Sequence, residues 1–173
     1  MQVIERYITS DKDIKDFYIA FFIALACFLS YIEGFIPKPI PGIKLGLANS
    51  IVLVFIIHSL YKVSIFVALS KVLIVSLFSG YFLSPAFFLG LSGSVLSVLA
   101  MILFHVLLKT RVSSIGLSVI GAFFHIIGQL CMAYFILPSI QSGILFLSGI
   151  LLLSSFFSGI VTGLFTLFLL KHL

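Results

Sequence analysis

From Phe17 onward the chain is a succession of apolar runs with hardly a charge inside them. The runs are long and lack strict alternation, so they predict helices rather than strands. In lipid only helices and closed barrels satisfy the backbone. A span needs about 20 apolar residues. Six candidates follow: Phe17–Ile36, Leu45–Leu60, Ser64–Gly80, Pro85–Leu108, Ile115–Leu137 and Gly143–Leu170. The second and third are short, and the last is long enough to tilt or overhang. The expected fold is an all-α integral membrane protein, a bundle of six transmembrane helices.

The breaks between runs have physical causes. Pro37, Pro39 and Pro41 remove donors and turn their neighbours away from the helical region. Tyr61-Lys62 is a short polar corner, and Gly80 to Pro85 is another turn. The stretch from Lys109 to Ser114 is the most polar internal loop, and Pro138 to Gly143 closes the fifth run. Residues 1–16 are polar and of mixed charge, unlike a net-basic signal peptide. They are expected to form a cytoplasmic tail ahead of a single six-helix domain over 17–173.

Composition agrees with a lipid solvent. The 173 residues are 62% hydrophobic and 9% charged, against about 45–50% and about 25% for soluble domains. The net charge of +5 does not make a nucleic-acid binder, because the basic residues form no stripe. It fits membrane orientation instead. With the N-terminus cytoplasmic, Arg6, Lys12, Lys15, Lys62, Lys109, Arg111 and Lys171 lie inside, and Lys38 and Lys44 outside. Seven against two satisfies the positive-inside rule and puts both termini in the cytoplasm of a bacterial cell. Cys27 and Cys131 fall inside apolar runs and suggest no disulfide framework.

Few polar groups remain to carry chemistry. After Asp16 the single acidic residue is Glu33. Lys71 lies mid-run, where an ionisable group costs roughly 2.5–3.5 kcal/mol on insertion scales and needs a partner or a purpose. Asn49 sits about one turn into the second span. His125 and Gln129 are four apart and share a helix face. On this topology these five occupy the centre and outer half of the membrane, which predicts a polar pocket open to the outside under the proline-rich loop. Two readings stand for each. Glu33 and Lys71 either pair structurally or serve a site, and His125 with Gln129 either joins helices or binds a ligand. Asn49 in such a place is more often a helix-start or packing residue than a ligand. Gly159-x-x-x-Gly163 with Ser155, the set Gly90, Gly93, Ser94 and Ser97, and Ala20-x-x-x-Ala24 are close-approach stripes.

The chain has no Walker-type phosphate loop, no acidic cluster for Mg²⁺ on a diphosphate, no zinc-spaced ligand set and no serine with a base and orienting acid. Neither catalysis nor a cofactor is expected.

Several segments together resemble a known family. They are Ser30-Tyr-Ile-Glu33, the prolines 37 to 41, Pro41-Gly-Ile-Lys-Leu-Gly-Leu-Ala-Asn49, the run from Lys71 to Gly80, and Gly121-Ala-Phe-Phe-His125-Ile-Ile-Gly-Gln129. They look like the Gx transporter family, also catalogued as heptaprenyl diphosphate synthase component I. That family resembles the substrate-binding S components of energy-coupling-factor importers. The resemblance implies an outward pocket roofed by the first loop, and an Ala-x-x-x-Ala, here Ala20 and Ala24, that docks a transmembrane coupling subunit with its ATPases. The family's basic residue in the third span is often Arg; Lys71 lacks Arg's bidentate fork.

The expected function is a transporter, or its substrate-binding subunit, for a small anionic or vitamin-like molecule. Lys71 would meet an anionic group, with Glu33, Lys44, Asn49, His125 and Gln129 around it. Tyr31 and Phe124 would stack on a ring, and the Pro37–Lys44 loop would gate entry. The alternative is a non-catalytic membrane component of a polyprenyl diphosphate synthase. A purely structural membrane partner is the third.

Overall fold

The computed structural model describes residues 11–35, 46–137 and 141–172. Among them the secondary structure is entirely helical. Six helices follow in order: α1 Lys12–Phe35, α2 Leu47–Ile57, α3 Tyr61–Phe78, α4 Pro85–Leu108, α5 Ser114–Ile136 and α6 Gln141–His172, with a 3₁₀ turn at Lys109–Arg111 between α4 and α5. The protein is an all-α membrane bundle. The proline-rich loop and Lys44 lie outside the described residues.

The boundaries follow local chemistry. Ser84 and Ser113 cap α4 and α5, their hydroxyls accepting the Phe87 and Gly116 amides at 3.4 and 3.1 Å. Pro85 occupies the first turn of α4, where its missing N–H costs nothing. His58 and His172 sit at the ends of α2 and α6, where each Nδ1–H donates to the carbonyl four residues back. The first helix begins at Lys12, ahead of Phe17, and carries part of the polar segment into its first turn.

Among the described residues five helices are long and apolar enough to cross a bilayer: α1, α3, α4, α5 and α6. The second is not, which corrects the expected Leu45–Leu60 span. It has 11 residues, about 16 Å at 1.5 Å per residue. Its ends are set by Gly46 in the left-handed region (φ 78) and by Ser59 (φ 60). The shortness is tolerable because α2 is surrounded by protein. Ile51 to Ile56 are wholly buried, and α1, α3, α4, α5 and α6 all pack on it. Its start is met by the Glu33 carboxylate of α1, and its last carbonyls by the Ser59 and Leu60 amides of the following turn. Phe22 of α1 packs edge-to-face on Phe55 with ring centres 5.0 Å apart.

On the other side, α4, α5 and α6 form a closely packed antiparallel trio. Small residues permit it. A Cβ added at Gly159 would lie 2.6 Å from Val119 Cα, and one at Gly163 would lie 2.7 Å from Ile115 Cα. Gly93 presses on His125, and Gly128 on Ser92, whose hydroxyl donates to the Gly128 carbonyl at 3.0 Å. Gly90, expected in the same stripe, instead faces open space.

Ala20 and Ala24 are exposed on the outer face of α1, beside the equally exposed Phe17, Phe21 and Phe28.

Candidate functional site

All six helices contribute to one polar cavity. Glu33 comes from the end of α1, Asn49 from the first turn of α2, Lys71 from mid-α3, Ser94 from α4, His125 from α5 and Ser158 from α6. Its volume for the centres of water-sized spheres is about 80 Å³, and one water needs roughly 10–15 Å³. The space therefore suits several waters or one compact polar group.

Lys71 is buried, and its Nζ donates to Asn49 Oδ1 at 2.6 Å. The amide oxygen is a neutral acceptor, so it orients the ammonium without cancelling the charge. Glu33, also buried, is engaged elsewhere. Its Oε1 accepts the Gly46 amide at 2.9 Å and its Oε2 the Leu47 amide at 3.2 Å. A carboxylate from α1 thus caps α2, where the helix dipole favours negative charge. Gly46 is required there. Its positive φ disfavours a side chain, and a Cβ would meet Thr162 Oγ1 at 3.0 Å. The chain of support runs from Glu33 through the start of α2 to Asn49, and from Asn49 to Lys71.

His125 borders the cavity, whereas Gln129 does not. The Gln129 amide meets the His125 Nε2 at 3.1 Å, one turn along the same face, so Gln129 positions the imidazole. Tyr31 and Phe124 also stay off this cavity. Tyr31 faces outward, and Phe124 packs among Phe104 and Phe123. Helix rotation decides this, because neither ring lies on the inward face of its helix.

The hydroxyls are what sequence reasoning missed. Ser30, Ser94, Ser97, Ser118, Ser154, Ser155, Ser158 and Thr162 border the cavity. Ser155, Ser158 and Thr162 are three and four apart, a spacing that marks one helix face and was available as a signal. In the close-approach stripes Ser94, Ser97 and Ser155 figure only as small residues. Ser97 and Ser118 are buried with hydroxyls that find no hydrogen-bond partner among the described residues. Such a group costs about 1–3 kcal/mol unless something enters to meet it. Tyr81, in the α3–α4 turn, borders the cavity, and burial pushes its phenol above the ordinary range. It therefore remains a neutral donor at physiological pH.

Comparison with curated proteins and with solved structures gave no match. The family profile described as heptaprenyl diphosphate synthase component I matches residues 22–169, from the first helix to the last and across every residue of the cavity. The chain belongs to the heptaprenyl diphosphate synthase component I family.

Proposed function

We propose that this multi-pass membrane protein is a non-catalytic subunit that binds a small anion in the cavity at Lys71. One observation carries the proposal: a buried lysine held by Asn49 at 2.6 Å beside a cavity edged with hydroxyls. An ionisable group placed at such cost within a membrane bundle marks a site by default. Asn49 aims the ammonium, the Ser and Thr hydroxyls supply donors and acceptors that adapt by rotation, and His125 offers a further polar edge. Glu33 acts through α2, as a positioning residue.

Two assemblies fit such a subunit. The family match favours the membrane component of a polyprenyl diphosphate synthase. The lack of any Asp after Asp16 fits a partner that leaves Mg²⁺-diphosphate chemistry to another chain. The buried cavity favours a transport subunit that borrows an energy-coupling module through Ala20 and Ala24. The positive-inside count supports a bacterial inner membrane with both termini cytoplasmic.

The experiment is affinity purification of the tagged chain in mild detergent, identifying both the proteins and the small molecules retained. A soluble prenyl synthase subunit would support the first assembly, and a coupling subunit with ATPases the second. Equal retention of anions by wild type and by Lys71→Met would overturn the site.

A further inference from the structure

The cavity at Lys71 has a donor wall and an acceptor wall, and we propose that its anion also carries a neutral hydrogen-bond donor, as a compact hydroxycarboxylate does. This rests on the small-anion site above and names the class of molecule that fills it.

The donor wall is Lys71 on α3, whose ammonium has protons to give and no lone pair to receive one. The acceptor wall is α6. Ser154 and Ser155 border the cavity, and each hydroxyl already donates within its own helix. Ser154 donates to the Leu151 carbonyl at 2.7 Å, and Ser155 to the Leu152 carbonyl at 2.6 Å. A hydroxyl has one proton and two lone pairs. With the proton committed, lone pairs are what these serines offer to a molecule in the cavity. Turning the proton inward would break a bond in a low-dielectric interior, where an unmet polar group is most costly. The helices α3 and α6 are not a closely packed pair; each packs on α2 instead. The ammonium and the two serines therefore stand on separate walls.

An anion without a donor, such as acetate or sulfate, answers one wall only. Its further lone pairs would face those of Ser154 and Ser155, acceptor against acceptor. A molecule that adds an O–H to its carboxylate answers both. Ser97 on α4 and Ser118 on α5 fit such a ligand. Their buried hydroxyls find no partner among the described residues, so either can donate or accept. Leu53, Val72, Met101 and Ile126 add apolar surface to the lining, which suits a short carbon skeleton between the two polar ends. The donor is neutral for two reasons. The α6 wall offers it uncharged oxygens, and Glu33, the carboxylate that borders the cavity, already receives two backbone amides. A second ammonium in so small a space would also be repelled by Lys71.

The test is calorimetric titration of the full chain in lipid nanodiscs with two matched pairs of acids. Glycolate is set against acetate, and 3-hydroxypropionate against propionate; glycine is the cationic-donor probe. In the wild type the hydroxy acid of at least one pair is expected to bind at least tenfold tighter than its partner, because the plain acid leaves buried acceptors unmet. Replacing both serines, Ser154→Ala with Ser155→Ala, should bring that ratio below threefold. Each single replacement should lower it too, and reads the same quantity if the double variant does not fold. The ratio is internal to one variant, so a general loss of affinity does not imitate the effect. Lys71→Met should weaken every acid at least tenfold. Equal binding within both pairs overturns the donor, and so does a preference that survives the loss of both serines. Tighter binding of glycine than of glycolate overturns the donor's neutrality. In each of these cases a response to Lys71→Met leaves the anion site standing. If Lys71→Met binds every acid as the wild type does, the anion site itself fails.

Discussion

Glu33, at the end of α1, meets Gly46 at the start of α2: its carboxylate accepts the glycine amide at 2.9 Å and the next amide at 3.2 Å. The membrane's one acidic side chain after Asp16 thus holds the start of the shortest helix. The backbone of α2, and not Lys71, receives its carboxylate.

Glu33→Gln tests that capping role. The amide keeps one acceptor oxygen and loses the charge. Hydrogen bonds to charged groups contribute about 1.5–3 kcal/mol each, so a loss of about 1–3 kcal/mol is expected. Detergent-phase thermal unfolding reads it. An unchanged midpoint would mean that α2 holds its start without the carboxylate.

Lys71→Met keeps length and removes charge. Ligand binding is expected to weaken by about 2 kcal/mol or more, since truncating one member of a buried charge pair costs roughly 2–5 kcal/mol. The variant should fold and reach the membrane at wild-type level. Binding of the co-purified small molecule, measured by calorimetry, decides it; wild-type affinity would move the site elsewhere.

Gly159→Ala probes the α5–α6 seam. The new methyl would lie 2.6 Å from Val119 Cα, a backbone atom that cannot rotate away. Overpacking of this kind costs about 1–3 kcal/mol. Gly143→Ala, where a Cβ meets nothing within 4 Å, is the control and should leave the unfolding midpoint in place.

Ala20→Leu and Ala24→Leu enlarge an exposed face and should leave the isolated chain folded. Co-purification with a coupling subunit should be lost if that face is the docking surface. Retention of the partner by both variants would reject it.

Orientation is checked by thiol labelling after Cys27 and Cys131 are replaced by Ala. Leu83→Cys lies in the α3–α4 turn and Val112→Cys in the α4–α5 connection, at opposite ends of the bundle. An impermeant reagent added to whole cells should label the first and spare the second. The reverse pattern would invert the topology.

How much was legible differs between the fold and the site. The long spans were readable because lipid imposes one rule on every residue: an apolar run of sufficient length becomes a helix. The Pro85–Leu108 run coincides with α4, and Ile115–Leu137 differs from α5 by one residue at each end. The cost of burying a charge likewise marks Lys71 from its place in the middle of an apolar run. What tertiary structure alone decided was rotation, pairing and length against neighbours. The sequence could not tell that Asn49 would take the Lys71 ammonium while Glu33 took a helix end, because both residues lie near the same loop. Nor could it tell that Leu45–Leu60 would shorten to an 11-residue helix, because its apolarity is equally suited to lipid and to protein. The packing of five helices around α2 shields that short segment from lipid, the Glu33 carboxylate closes its start and the following turn closes its end.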